Sequence, residues 1–199
     1  MTRVAIIDSG GANIASLLYA FERLDTEAVL TTDADVIKTA ERVLLPGVGA
    51  ARDAMQRLQD ADLVDVIRNL QQPVLGICLG MQLLCEASEE EDVECLGIVP
   101  GVARKLDVAE GFAVPNMGWC ETTIKGHHEL LDGVADGSWF YYLHSYALPV
   151  SKYTLATARH SAEFTAIIGR DNFVAAQFHP ERSSTAGAAL LTNFLGQPA

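Results

Sequence analysis

The chain has 199 residues, 49% of them hydrophobic, and a formal net charge of −12. Such a length predicts one domain, residues 1–199, with a substantial core. No apolar stretch is long enough to cross a bilayer, and with no basic run neither a membrane nor a nucleic-acid partner is expected. The opening residues, Met1 to Asp8, lack the long apolar region and cleavage site of an export signal and read as a first strand. The cysteines, Cys78, Cys85, Cys95 and Cys120, show neither C-x-x-C nor metal-ligand spacing. Reduced thiols in a cytoplasm are therefore expected, with no metal and no cofactor. The pair His127-His128 adds no metal site, because neighbouring loop side chains diverge and no acidic or cysteine cluster supports them.

In chain order, residues 4–7 predict a strand. Residues 13–24 predict a helix with its stripe through Ile14, Leu17, Leu18 and Phe21. Residues 28–30 and 43–45 read as further strands. Residues 53–70 read as one or two helices, and 73–77 as a short buried strand. After it, Met81, Leu84 and Cys85 recur at helical spacing, a pattern that predicts one helix closed by Glu86 and the run Glu89-Glu90-Glu91. Strand–helix alternation of this kind argues a parallel sheet covered by helices on both faces. The second half reads as strands in quick succession, over 114–124, 139–147, 154–158, 164–168 and 173–178, and a last helix spans 183–195. The predicted fold is α/β: a mixed, largely parallel sheet flanked by helices, with an antiparallel strand-rich second half. Catalytic loops belong at the carboxyl ends of its parallel strands.

Gly76-Ile77-Cys78-Leu79-Gly80 stands where strand turns into helix. A cysteine between two glycines at that turn is the thiol form of the G-x-S-x-G nucleophile elbow. The glycines leave room for a tight bend, and a helix N-terminus favours thiolate. Downstream, Gln177-Phe178-His179-Pro180-Glu181 follows an apolar strand. Pro180 disfavours helix at His179, and in an extended link residues i and i+2 share a side, so Glu181 can orient the His179 ring. The ring's free nitrogen can then take the thiol proton. Either feature alone has an ordinary structural explanation; together they argue a Cys-His-Glu triad. The loop Pro46-Gly47-Val48-Gly49 lacks the Gly-Lys-Ser/Thr ending of a phosphate loop. It can instead supply an oxyanion-hole N–H from Val48 or Gly49, partnered by the N–H of Leu79.

These residues together resemble the class I, triad-type glutamine amidotransferases, along essentially the whole chain. Gly-Ile-Cys-Leu-Gly-Met-Gln and Gln-Phe-His-Pro-Glu are specific to that superfamily. Leu45-Pro46-Gly47-Val48-Gly49, Asn116-Met117-Gly118-Trp119, His144-Ser145-Tyr146 and His179-Pro180-Glu181-Arg182-Ser183 resemble its imidazole glycerol phosphate synthase branch. The resemblance implies a flavodoxin-like fold and glutamine as substrate. It makes Cys78 the nucleophile, His179 the base and Glu181 its orienter. It implies substrate contacts from Gly47, Gln82, Ser145, Tyr146 and Glu90, where Glu89 and Glu91 compete with Glu90. It implies a (β/α)8-barrel cyclase partner that uses the ammonia in histidine biosynthesis, with Asn13 and Arg182 on the interface rim. The chain departs from the family's usual residues at Gly10-Gly11-Ala12-Asn13, at Asn116 where histidine is usual, and at Cys120 where asparagine is frequent. The competing readings are a glutaminase of another synthase, a stand-alone γ-glutamyl hydrolase and a non-catalytic regulatory chain. Gln82 and the His-Ser-Tyr segment favour a glutaminase that feeds a synthase, and the intact Cys78, His179 and Glu181 argue against a non-catalytic role.

Overall fold

The computed structural model describes residues 3–10 and 14–196. In chain order the elements are β1 (Arg3–Ile7), α1 (Ile14–Arg23), β2 (Glu27–Thr31), α2 (Ala34–Thr39), β3 (Arg42–Gly47), α3 (Ala51–Asp60) and α4 (Val64–Arg68). The elbow region follows as β4 (Val74–Cys78), α5 (Leu79–Leu83), β5 (Cys85–Ser88), β6 (Val93–Glu94) and β7 (Val99–Lys105). The rest comprises β8 (Asn116–Ile124), β9 (Ser138–His144), β10 (Tyr146–Ala147), β11 (Thr154–Arg159), β12 (Glu163–Arg170), β13 (Phe173–Ala176) and α6 (Ser184–Gly196).

Nine strands form one sheet in the order β2-β1-β3-β4-β13-β12-β11-β8-β9. The first five are mutually parallel, in the flavodoxin-like arrangement, and the rest are antiparallel. The inner parallel strands β1, β3, β4 and β13 are largely apolar on both faces because both are covered, whereas β2 is the exposed edge. Ala5, Ile7, Val43 and Leu45 pack with Ile37, Met55, Leu58 and Ile67 of α2, α3 and α4. Their neighbours Val4, Ile6 and Leu44 turn the other way, onto Leu17 and Phe21 of α1 and Leu190, Leu191 and Phe194 of α6. Two cores on either side of one sheet follow from the two-residue period of a strand.

Two departures from the sequence reading matter for the site. The elbow helix is short: α5 ends at Leu83, and Cys85 lies on β5, which pairs parallel with β7 and antiparallel with β6 in a separate four-stranded sheet. Helical spacing was present in Met81, Leu84 and Cys85, but pairing with residues 93–105 satisfies the same backbone groups and buries Cys85 fully. The acidic run is thus a turn, with Glu91 and Asp92 in left-handed backbone at φ 59 and 50. Secondly, the apolar run 139–147 is not one strand. It leaves the large sheet after His144, passes Ser145, and joins the small sheet as β10 against β7. Among the described residues, no helix is long and apolar enough to cross a membrane.

Candidate active site

β3, β4 and β13 run side by side, with Gly47 level with Cys78 and Ala176 level with Ile77. Their carboxyl ends therefore deliver the glycine loop, the cysteine and the histidine segment to one edge of the sheet. Cys78 has φ 54 and ψ −109, a conformation that costs a non-glycine residue on the order of 1–3 kcal/mol. The two glycines make that bend possible. A Cβ on Gly80 would lie 1.8 Å from the Leu45 carbonyl oxygen, and one on Gly76 would lie 2.9 Å from the Ala175 Cβ. The thiol, 6% exposed as a residue, opens into a cavity of about 510 Å³.

His179 faces it across that cavity. Its backbone is extended, at φ −99 and ψ 96, as the following Pro180 requires. Its amide donates to the Tyr141 carbonyl at 2.9 Å, and Ser183 Oγ–H donates to its carbonyl at 2.6 Å. Ser183 Oγ also accepts from the Tyr141 amide at 2.9 Å, so one buried hydroxyl clamps β9 to the histidine loop. Glu181 Oε1 lies 2.9 Å from His179 Nδ1. The contact expected from an extended link is present, but a 3-10 turn over Pro180–Arg182 makes it by folding the carboxylate back. Glu181 Oε1 can only accept when ionised, so Nδ1 carries a proton and Nε2 is left for Cys78. Burial alone would lower the His179 pKa. Hydrogen bonds and charge from Cys78 and Glu181 outweigh it and raise the ring to about 10. Glu181 Oε2 is buried with no hydrogen-bond partner among the described residues, which adds to the carboxylate's demand for a nearby cation.

The cavity wall also includes Val48, Gly49, Leu79, Gln82, Glu90, Ser145, Tyr146 and Arg182. Gly49 has φ +92, a backbone that favours glycine. Gly47 sits one residue behind the wall; its missing Cβ would be 3.0 Å from that of Leu79. Of the acidic run only Glu90 lines the cavity, with Oε2 accepting from the Ala51 amide at 2.9 Å. Glu89 instead accepts from the Lys105 amide and Glu91 pairs with Arg52. Asn13 lies outside the described residues. Sequence reasoning passed over Gln177, whose Nε2 donates toward Cys78 Sγ at 3.8 Å, and gave no role to Ser183 or to His144. Gln177 carried a legible signal, since it is two residues before His179 on an extended run.

A family model, glutamine amidotransferase class-I, matches residues 5–197. The chain belongs to this family. Within it, the imidazole glycerol phosphate synthase subunit HisH of Xanthomonas axonopodis pv. citri is 50% identical over 195 residues, 98% of each chain. Subunit HisH 2 of Legionella pneumophila (strain Lens) is 48% identical over 192 residues, 96% of each. The solved structure of a putative GMP synthase component from Thermoplasma acidophilum has the same fold at only 18% identity, with a TM-score of 0.75 over 98% of this chain and 93% of that one. None of the other cysteines of this chain lines the cavity. Burial raises the Cys95 thiol to about 11, and raises those of Cys85 and Cys120 as well. His128 is also accounted for, since its Nδ1 accepts from the Leu130 amide and caps a short turn.

Proposed function

We propose that Cys78, His179 and Glu181 hydrolyse the side-chain amide of glutamine, and that the ammonia passes to a docked cyclase of the (β/α)8-barrel type. The activity is that of the glutaminase subunit of imidazole glycerol phosphate synthase, in histidine biosynthesis, the enzyme named for relatives half identical over nearly the whole chain. One observation carries the assignment of roles: a strained elbow cysteine and a Glu-held histidine line the same cavity.

The Cys78 thiolate attacks the amide carbon of glutamine, and the carbonyl oxygen takes up negative charge. The Leu79 N–H and an N–H of the Val48-Gly49 loop stabilise that oxyanion. His179 gives its proton to the leaving nitrogen, ammonia departs, and a thioester remains on Cys78. His179 then takes a proton from water as it attacks the thioester, and glutamate leaves with the thiolate restored. Gln82, Glu90, Ser145 and Tyr146 bind the amino-acid end of glutamine, with Glu90 meeting the α-ammonium. Gly47 serves by lacking a Cβ where the loop passes Leu79.

The docking surface adjoins this chemistry. On one face of β8 and β9, cross-strand pairs Met117–Leu143 and Trp119–Tyr141 lie beside Trp139. Met117 is 69% exposed and Trp139 56%, an apolar row on an edge strand that monomers rarely leave bare. Arg182 lies over the Tyr141 ring, 4.3 Å from its centroid, between this row and the triad. Leu143 belongs to both, because it lines the cavity and its carbonyl is 3.5 Å from Cys78 Sγ. We place the protein in the cytoplasm as a single catalytic domain in a heterodimer.

The test is the glutaminase rate of the purified chain, alone and with the cyclase and its nucleotide ligand. A slow rate that rises on complex formation is expected. Equal rates, with no complex in size-exclusion chromatography, would refute the partnership.

A further inference from the structure

Asn116 and Cys120 meet behind the substrate wall. Cys120 Sγ is 3.7 Å from Asn116 Oδ1 and 3.6 Å from its Nδ2. The Asn116 amide nitrogen is in turn 3.2 Å from His144 Nε2, and His144 Nδ1 is 2.9 Å from the Tyr146 carbonyl oxygen. Asn116 and His144 are 3% and 5% exposed, so water does not compete for these contacts.

The carbonyl settles the protons. An oxygen of Tyr146 can only accept, so His144 Nδ1 must carry hydrogen. Burial lowers the His144 pKa to about 4, with the Tyr146 carbonyl working against it and the charges of His160 and His179 adding to it. The ring is therefore neutral at working pH, and Nε2 has no proton. A bare Nε2 requires a donor, and Asn116 supplies its amide N–H. His144 consequently has no proton to trade in catalysis, although it lines the cavity.

The Tyr146 carbonyl accepts a second bond, from Gln82 Nε2 at 3.0 Å. Gln82 Nε2 also reaches Gln177 Oε1 at 3.2 Å. One carbonyl thus ties the segment leaving the large sheet to the elbow helix and to the side chain beside Cys78. Tyr146 begins the two-residue strand β10, held otherwise by its pairing with Lys105 and by the Leu106 amide donating to the Ser145 carbonyl.

We propose that His144 is a positioning residue for glutamine, locked as its Nδ1–H tautomer by Asn116, and that it holds the Ser145-Tyr146 wall of the cavity through the Tyr146 carbonyl. The inference rests on the glutaminase reading and assigns that site a residue set behind its substrate contacts.

The test uses the complex with the cyclase. In His144→Asn the shorter amide keeps a donor near the Nδ1 position; in His144→Gln the donor moves to the Nε2 position and the carbonyl loses its partner. His144→Gln should raise KM for glutamine about tenfold, the worth of one buried hydrogen bond, with kcat within about threefold of wild type. His144→Asn should recover most of that KM. Asn116→Ala should raise KM about threefold in the wild-type background and have no further effect in His144→Asn, which has no Nε2 to serve. Alkylation of Cys78 by iodoacetamide needs no substrate wall, so its rate reports that each variant is folded. Equal KM values for His144→Asn and His144→Gln, or a fall in kcat at unchanged KM, would overturn the positioning role. A glutamine-derived chloroketone separates this from failure of the underlying reading. No labelling of wild-type Cys78 would sink the glutaminase assignment and this inference with it. Equal saturation of wild type and His144→Gln would sink the inference alone.

Discussion

Cys78 combines a left-handed backbone, a place on the cavity wall and a histidine on the same wall, and none of the other three cysteines lines that cavity. Cys78→Ala should lower glutamine hydrolysis at least about a thousandfold, whereas Cys85→Ala, Cys95→Ala and Cys120→Ala should retain it. A glutamine-derived electrophile followed by peptide mass spectrometry should find label on Cys78 alone, and stoichiometric label elsewhere would contradict the assignment. His179→Asn removes the group proposed to make both proton transfers, and should cost about as much as losing Cys78. Glu181→Gln leaves the ring in place but poorly held, and should be about a hundredfold less damaging. The raised His179 pKa also has a sign. The proton given to the leaving ammonia is retained until the pH nears about 10, so the alkaline limb of kcat/KM should lie well above that of an ordinary histidine. Removing the Glu181 charge removes one of the causes that raise the ring, so in Glu181→Gln the limb should move to lower pH. A pH–rate profile of both proteins decides this; an unmoved limb would mean that Glu181 does not tune the ring.

Within the elbow, the two glycines act for different reasons from glycines in turns. Gly80 sits where a helix starts against the backbone of β3, and its missing Cβ is what lets β3 and α5 approach. Gly80→Ala should destabilise the fold by about 3 kcal/mol, the upper range for overpacking, since the obstacle is a carbonyl and cannot rotate away. Gly97, at φ +66 with open space around it, should lose about 1 kcal/mol on substitution with alanine, from left-handed backbone alone. Urea unfolding of the two variants checks the ordering. At the break at Ser145, β9 and β10 belong to different sheets. The chain changes partners at the cavity mouth, and that change turns Ser145 and Tyr146 into a wall.

Across the whole molecule, the sheet's carboxyl edge and the exposed row on β8 and β9 meet at Leu143 and Arg182. Docking there would bring a partner next to the ammonia as it forms. Arg182→Ala and Trp119→Ala should weaken the complex with the cyclase about tenfold each and reduce the stimulated glutaminase rate, while the iodoacetamide reactivity of Cys78 persists. Titration calorimetry with the cyclase is the measurement; full affinity in both variants would move the interface elsewhere.

The parallel half of the fold was legible because its signals are local. A buried parallel strand is largely apolar, and an amphipathic helix carries a stripe, so β1, α1, β3 and β4 could be read without knowing what they touch, whereas the short α2 was not read. The proposed triad could be read for a related reason: an elbow needs glycines within two residues of a nucleophile, and Pro180 constrains His179 from the next position. Long-range pairing was not legible. Nothing in residues 85–88 distinguishes a continued helix from a strand, since the choice is made by β7, which begins more than ten residues later. The same holds for the break at Ser145, for Glu90 among its acidic neighbours, and for the contact of Asn116 with His144. Side-chain chemistry and spacing along the chain were enough to propose a nucleophile and its base and to read the fold class. Which carboxylate faces the cavity, which carbonyl anchors its wall and where the chain changes sheets depended on partners distant in sequence, whose geometry exists only once the two cores have closed.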